Sequence, residues 1–121
     1  MSLTLPYLDP AALDNLRMIN PDDGGEFLRE LIDIFLADMP VRIAEIEQAL
    51  AAGNTANLAR AAHSIKGSAS NFGAMQLTVL ARNIEACGKT GDFSTARATL
   101  PSLQAEFSRL RPVLEQLKLG N

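Results

Sequence analysis

The sequence predicts an all-α protein, an antiparallel up-down four-helix bundle with a short additional N-terminal helix. Apolar residues recur at helical steps of three and four almost throughout the 121 residues, and no segment sustains the alternation of a half-buried strand flanked by turns. The connections between the long periodic segments are short, which favours antiparallel neighbours. With hydrophobic residues at 47%, the chain fits one compact domain over residues 1–121, its core running from about 9 to 118, with no room for a second.

The elements follow in order. Asp9 is placed to cap a short first helix with Pro10 in its first turn; it carries Leu13, Leu16 and Met18 and stops at Asn20-Pro21, lying across one end of the bundle. From about Gly24-Gly25 a long second helix carries Leu28, Leu31, Ile32, Phe35, Met39, Ile43, Ile46 and Leu50 to Ala51, and Gly53 ends it. Pro40 interrupts that run without shifting its phase, which predicts a kink rather than a break. Asn54 or Thr55 caps a third helix with Leu58, Ala62, Ile65, Ala69 and Phe72 inward, and Gly73 supplies the turn. A fourth, from about Ala74 to Lys89, turns Leu77, Leu80, Ile84 and Cys87 to one side and ends in Gly88 to Gly91. The fifth, from about Asp92 to Lys118, repeats Ala96, Leu100, Leu103, Phe107, Leu110, Leu114 and Leu117 at steps of four and three, with Pro101 and Pro112 in phase.

Composition excludes several classes of function. No apolar stretch approaches the roughly 20 residues of a membrane span, and no basic start with an apolar core marks a secretory signal, so a cytoplasmic location is expected. The single cysteine, Cys87, rules out an internal disulfide and reads as a small core residue. One His and one Cys do not assemble a typical zinc site, so no metal is expected. A net charge of −3, no Trp and one Tyr argue against nucleic acid and for a protein partner. Neither a Walker-type loop nor a kinase nucleotide pattern is present, so no ATP-dependent activity of its own is expected.

The chemistry concentrates on the only histidine. In Ala61-Ala62-His63-Ser64-Ile65-Lys66-Gly67-Ser68-Ala69-Ser70-Asn71-Phe72-Gly73, the residues His63, Lys66 and Gly67 share one helical face, with Ala59 and Ser70 beside them and the core stripe elsewhere. A nucleophile, a cation and bare backbone therefore lie side by side. Gly67 at mid-helix costs about 0.5–1 kcal/mol relative to Ala. Two reasons can hold it there: tight packing against a neighbouring helix, or a partner that must come close.

This run resembles the signature of the histidine-containing phosphotransfer (HPt) domain family, a helical His followed by Lys-Gly at the third and fourth positions, then small residues and a Gly. The resemblance is local in its motif and extends in outline over nearly the whole chain. It implies the same bundle and a phosphocarrier of a multistep phosphorelay, taking a phosphoryl group from a receiver-domain aspartate onto Nε2 of His63 and passing it to another. Lys66 is expected to act as an electrostatic helper where phosphate oxygens gather, and Ala59, Gly67 and Ser70 to form the docking face. The implied partners are response-regulator receiver domains and a hybrid histidine kinase. The cofactor is Mg²⁺ supplied by the receiver, and the chain is expected to be a monomer.

An antiparallel fourth helix would bring Arg82, Glu85 and Lys89 towards His63. Glu85 is the best candidate for a group beside the imidazole, with Gln76 a weaker one; family members often carry Gln or another polar residue at the Glu85 position, and an exposed helix glutamate of no consequence is the alternative. Two further readings stay open: the phosphoacceptor module of a larger histidine kinase, and a helical docking bundle that transfers nothing.

Overall fold

A computed structural model describes residues 8–19 and 24–119. Five helices make it up: α1 (Pro10–Ile19), α2 (Glu26–Ala52), α3 (Thr55–Asn71), α4 (Met75–Thr90) and α5 (Phe93–Lys118). The four long helices close a ring in which α2 touches α3 and α5, and α4 touches α3 and α5; the diagonal pairs do not meet. That is the up-down bundle the short connections predict.

Local chemistry sets the helix ends. Asn54, rather than Thr55, caps α3, its Oδ1 accepting from the Asn57 N–H at 3.0 Å, and Asp92 Oδ1 accepts from the Thr95 N–H at 3.0 Å at the start of α5. Gly53 and Gly91 close α2 and α4 in the left-handed conformation, at φ 66° and 79°. Arg97 on α5 donates to the Leu50 carbonyl in the last turn of α2 at 3.0 Å, where helical carbonyls lack partners. Pro40, Pro101 and Pro112 all lie inside helices that continue through them, on the exposed side, so the packed stripes stay in phase.

The core stripes are buried as their spacing requires, and Phe35 of α2 joins Phe72 and Phe107 at centroid distances of 5.1 and 6.1 Å. Cys87 is buried among them, and that burial raises its thiol above the ordinary range. Leu13 seats α1, but Met18 is 73% exposed: five residues on from Leu13 is about 140° around the helix. Asn20-Pro21, read as the stop of this helix, lies outside the described residues. The helix is pinned at the α3–α4 turn, where the Asp9 N–H donates to the Gly73 carbonyl at 2.9 Å. Gly73, at φ 67°, leaves no space there, since a Cβ would fall on Asp9 and Ala12.

One end of the fourth helix differs from the sequence reading. Gly88 is not part of the terminating turn but a buried residue within α4, and the turn belongs to Gly91 alone. A Cβ on Gly88 would stand 2.7 Å from the Ala59 backbone nitrogen and 2.8 Å from its Cβ. The absent side chain therefore sets how closely α4 approaches α3, and fixes the register of the two helices one turn from His63.

Candidate functional site

On α3 the side chain of His63 is 66% exposed. Its position between the buried Ala62 and the open Gly67 follows from the helical period, which turns the Leu58–Ala62–Ile65–Ala69 stripe into the core and leaves this face outward. Gly67 has nothing within 4 Å of where a Cβ would be, so no neighbouring helix requires its bareness. Of the two reasons open at the sequence level, internal packing is excluded.

Glu85 is delivered to the site by α4. Its side chain is 9% exposed, and both carboxylate oxygens are engaged: Oε2 lies 2.8 Å from His63 Nδ1, and Oε1 lies 2.7 Å from Lys66 Nζ. Lys89, one turn further along α4, brings Nζ to 3.7 Å from Oε2. The exposed, inconsequential glutamate is thus ruled out. The hydrogen bond from Lys66 holds the Glu85 carboxyl below its ordinary range, against the upward push of burial, and the bond from His63 adds to it. Glu85 is therefore a carboxylate at neutral pH and can only accept. A carboxylate at 2.8 Å from Nδ1 requires a proton there, so the neutral ring has its proton on Nδ1 and its lone pair on Nε2.

Lys66 occupies a different place from the one its helical position suggests. Its ammonium is directed onto Glu85 rather than standing free for phosphate, and its side chain is 29% exposed. It compensates the carboxylate that orients the imidazole. Of the other candidates, Ser70 lies exposed on the His63 face with its Oγ donating to the Gly67 carbonyl at 2.9 Å, whereas Ala59 is half-buried beneath Gly88. Gln76 does not reach the site. It lies nine residues before Glu85, roughly 13 Å along the helix axis, in a hollow with Leu8, Asp9, Gly73 and Met75 at the far end of α4.

The profile of the Hpt domain family matches residues 30–117. The chain belongs to the Hpt domain family. As an Hpt domain it is a phosphocarrier of a phosphorelay, whose partners are of the receiver and histidine kinase kind. Its structure is similar to the crystal structure of histidine-containing phosphotransfer protein B (HptB) from Pseudomonas aeruginosa PAO1, with a TM-score of 0.87 at 30% sequence identity, over 98% of this chain and 99% of that one. Comparison with curated protein sequences finds no match. No helix among the described residues is long and apolar enough to cross a membrane.

One residue of the Hpt site escaped sequence reasoning. Gly88 holds α4 against α3 and so carries Glu85 to the imidazole, but among Gly88-Lys89-Thr90-Gly91 it reads as helix punctuation. The available signal was its distance from Gly91: only one glycine is needed to close a helix.

Proposed function

We propose that His63 is the phosphoacceptor of this Hpt domain and that Nε2 is the atom that carries the phosphoryl group. The observation that supports this best is the pairing of Nδ1 with the buried Glu85 carboxylate, which directs the lone pair to the other nitrogen of an exposed ring. Nε2 attacks the phosphorus of an acyl phosphate on a receiver aspartate, the bond from phosphorus to the aspartate oxygen breaks, and the aspartate leaves as a carboxylate. The Nδ1 proton stays on the ring, held by Glu85, and the reverse sequence passes the group to a second aspartate.

Glu85 is a positioning residue in this reading. Its own charge would repel a phosphoryl group, and Lys66 and Lys89 offset it from two sides. Gly67 leaves the approach to Nε2 clear for the in-line geometry that phosphoryl transfer requires. The receiver brings the acidic pocket and Mg²⁺, so the domain acts as a monomeric, cytoplasmic transfer intermediate without ATP-dependent activity of its own.

The test is phosphoryl uptake from phosphorylated receiver domains of the same organism. Wild type should gain an acid-labile, base-stable phosphate, and a His63→Gln variant with unchanged thermal unfolding should gain none. Uptake by that variant would move the acceptor to another residue; no uptake by wild type from any receiver would leave a docking bundle.

A further inference from the structure

We propose that the α3–α4 face around His63 is a cationic docking surface that selects an acidic protein face, with Arg60, Arg82 and Lys89 as the residues that steer it. This rests on the phosphocarrier reading of His63 and adds the chemistry of the surface that docks there.

The charge of this chain is segregated. Helices α3 and α4 carry four cations, Arg60, Lys66, Arg82 and Lys89, and one acid, Glu85. The remainder carries seven cations and thirteen acids, so a molecule of net charge −3 presents a positive surplus on these two helices. Glu85 removes little of that surplus from the surface, because it is buried and takes Lys66 as its closest ammonium partner.

Of the three remaining cations, Arg82 and Lys89 lie beside Glu85 on α4, and Arg60 lies one turn before His63 on α3, at the edge of an α2–α3 hollow that also holds Arg42 and Glu45. Arg60 and Gly67 flank His63 at spacings of three and four on α3; Arg82 and Lys89 flank Glu85 at the same spacings on α4. Contact between His63 and Glu85 turns the two rows towards one another. Arg60 is exposed and donates only to the neutral Asn57 Oδ1 at 3.1 Å, while Arg82 is exposed with no ion-pair partner among the described residues. Lys89 is 70% exposed at its side chain. Elsewhere four of the seven cations hold an acid, Arg17 with Asp14, Arg42 with Asp38 and Glu45, Arg109 with Glu106 and Lys118 with Asp33, while Arg29 and Arg97 donate to the carbonyls of Gly24 and Leu50 and Arg111 lies over the Phe107 ring.

Arg82 and Lys89 are seven residues apart, roughly 10 Å along the helix. This is about one Debye length at 0.1 M salt, so the row acts on an approaching charge as a unit at low ionic strength and is screened at high. The occupant is an acidic protein surface rather than a nucleic acid, because neither helix contains a Phe, Tyr or Trp on which bases could stack. An acidic pocket carrying a phosphorylated aspartate has the matching charge.

The experiment measures the rate of phosphoryl transfer, below saturation, from the fastest of a panel of acetyl phosphate-charged receiver domains. The salt range is about 20 to about 500 mM NaCl, which takes screening from weak to nearly complete. Wild type should slow about tenfold or more across that range; Arg60→Glu and Arg82→Glu should each slow transfer severalfold at the low end, and the double variant about tenfold or more with a flattened salt dependence. Arg111→Glu, 18 residues along α5 from the turn that joins it to α4 and equal in charge change to either single reversal, should stay within about twofold. Thermal unfolding of each variant checks that the bundle is intact. Transfer that proceeds but is insensitive to salt, or reversals no slower than Arg111→Glu, would overturn the docking surface and leave His63 as the carrier. Absence of transfer by wild type at every salt concentration would overturn both. Binding of a single-stranded DNA oligomer with the same salt dependence and the same response to the reversals would overturn the choice of an acidic protein as occupant.

Discussion

Two glycines within one turn of the imidazole's level should respond to alanine with opposite signs. At Gly67 an added methyl meets nothing within 4 Å, so Gly67→Ala realises only the helix-propensity gain, about 0.5–1 kcal/mol of stabilisation. At Gly88 the same methyl lands 2.7–2.9 Å from the nitrogen, Cβ and Cα of Ala59, two of them backbone atoms that cannot swing aside. Ordinary carbon contacts need about 3.5–4 Å, so α4 must retreat by roughly 0.7–1 Å. Overpacking of that kind costs about 1–3 kcal/mol. Because the propensity gain at Gly88 is no larger than at Gly67, the two variants should differ by at least the steric cost, or about 4–12 °C in Tm. The same retreat would stretch the 2.8 Å contact between His63 Nδ1 and Glu85 Oε2 beyond hydrogen-bonding distance. Urea and thermal unfolding of wild type and both single variants measure the difference. If Gly88→Ala stabilises as much as Gly67→Ala, the close approach of α3 and α4 does not set the position of Glu85, and the site must be built otherwise.

The other outcomes are narrower. Gly67→Gln should keep the bundle folded, judged by far-UV circular dichroism, while slowing phosphotransfer at least tenfold through bulk beside the nucleophile; unimpaired transfer would put the docking face elsewhere. With the imidazole neutral, long-range ¹H–¹⁵N spectra should show the Nδ1–H tautomer in wild type and a mixture in Glu85→Gln, whose amide can pair with either form; an Nε2–H tautomer in wild type would contradict the proposed acceptor atom. Lys66→Ala should lower stability at pH 7 by about 1–2 kcal/mol, a charged hydrogen bond discounted for partial exposure. Since the Glu85 carboxyl is held below its ordinary range, its contribution is present above the unfolded-state value of about 4.5 and lost as pH falls through the folded one. The stability gap between wild type and Glu85→Gln should therefore shrink from pH 7 to pH 3, and a constant gap in urea titrations would show that the carboxylate's charge is not what stabilises.

The order and approximate bounds of the five helices were legible because they rest on local physics: apolar stripes of period 3.6, capping side chains at Asn54 and Asp92, left-handed glycines at Gly53 and Gly91. His63, Lys66 and Gly67 were legible for the same reason, since residues three and four apart on a helix are neighbours whatever surrounds them. What Lys66 does was not, because its long side chain turns to a carboxylate on another helix.

The sequence by itself determined which side chains share a face, and with it the exposed histidine beside an open stretch of backbone. Only the tertiary structure decided what that histidine is bound to. Glu85 could be exposed or buried, Gln76 near or far and Gly88 a cap or a contact, according to the register and separation of α3 and α4. Those quantities leave no period in the chain. They are set where the missing side chain of Gly88 lets α4 settle onto the backbone of Ala59, and that contact, 29 positions apart in sequence, brings a carboxylate to the imidazole.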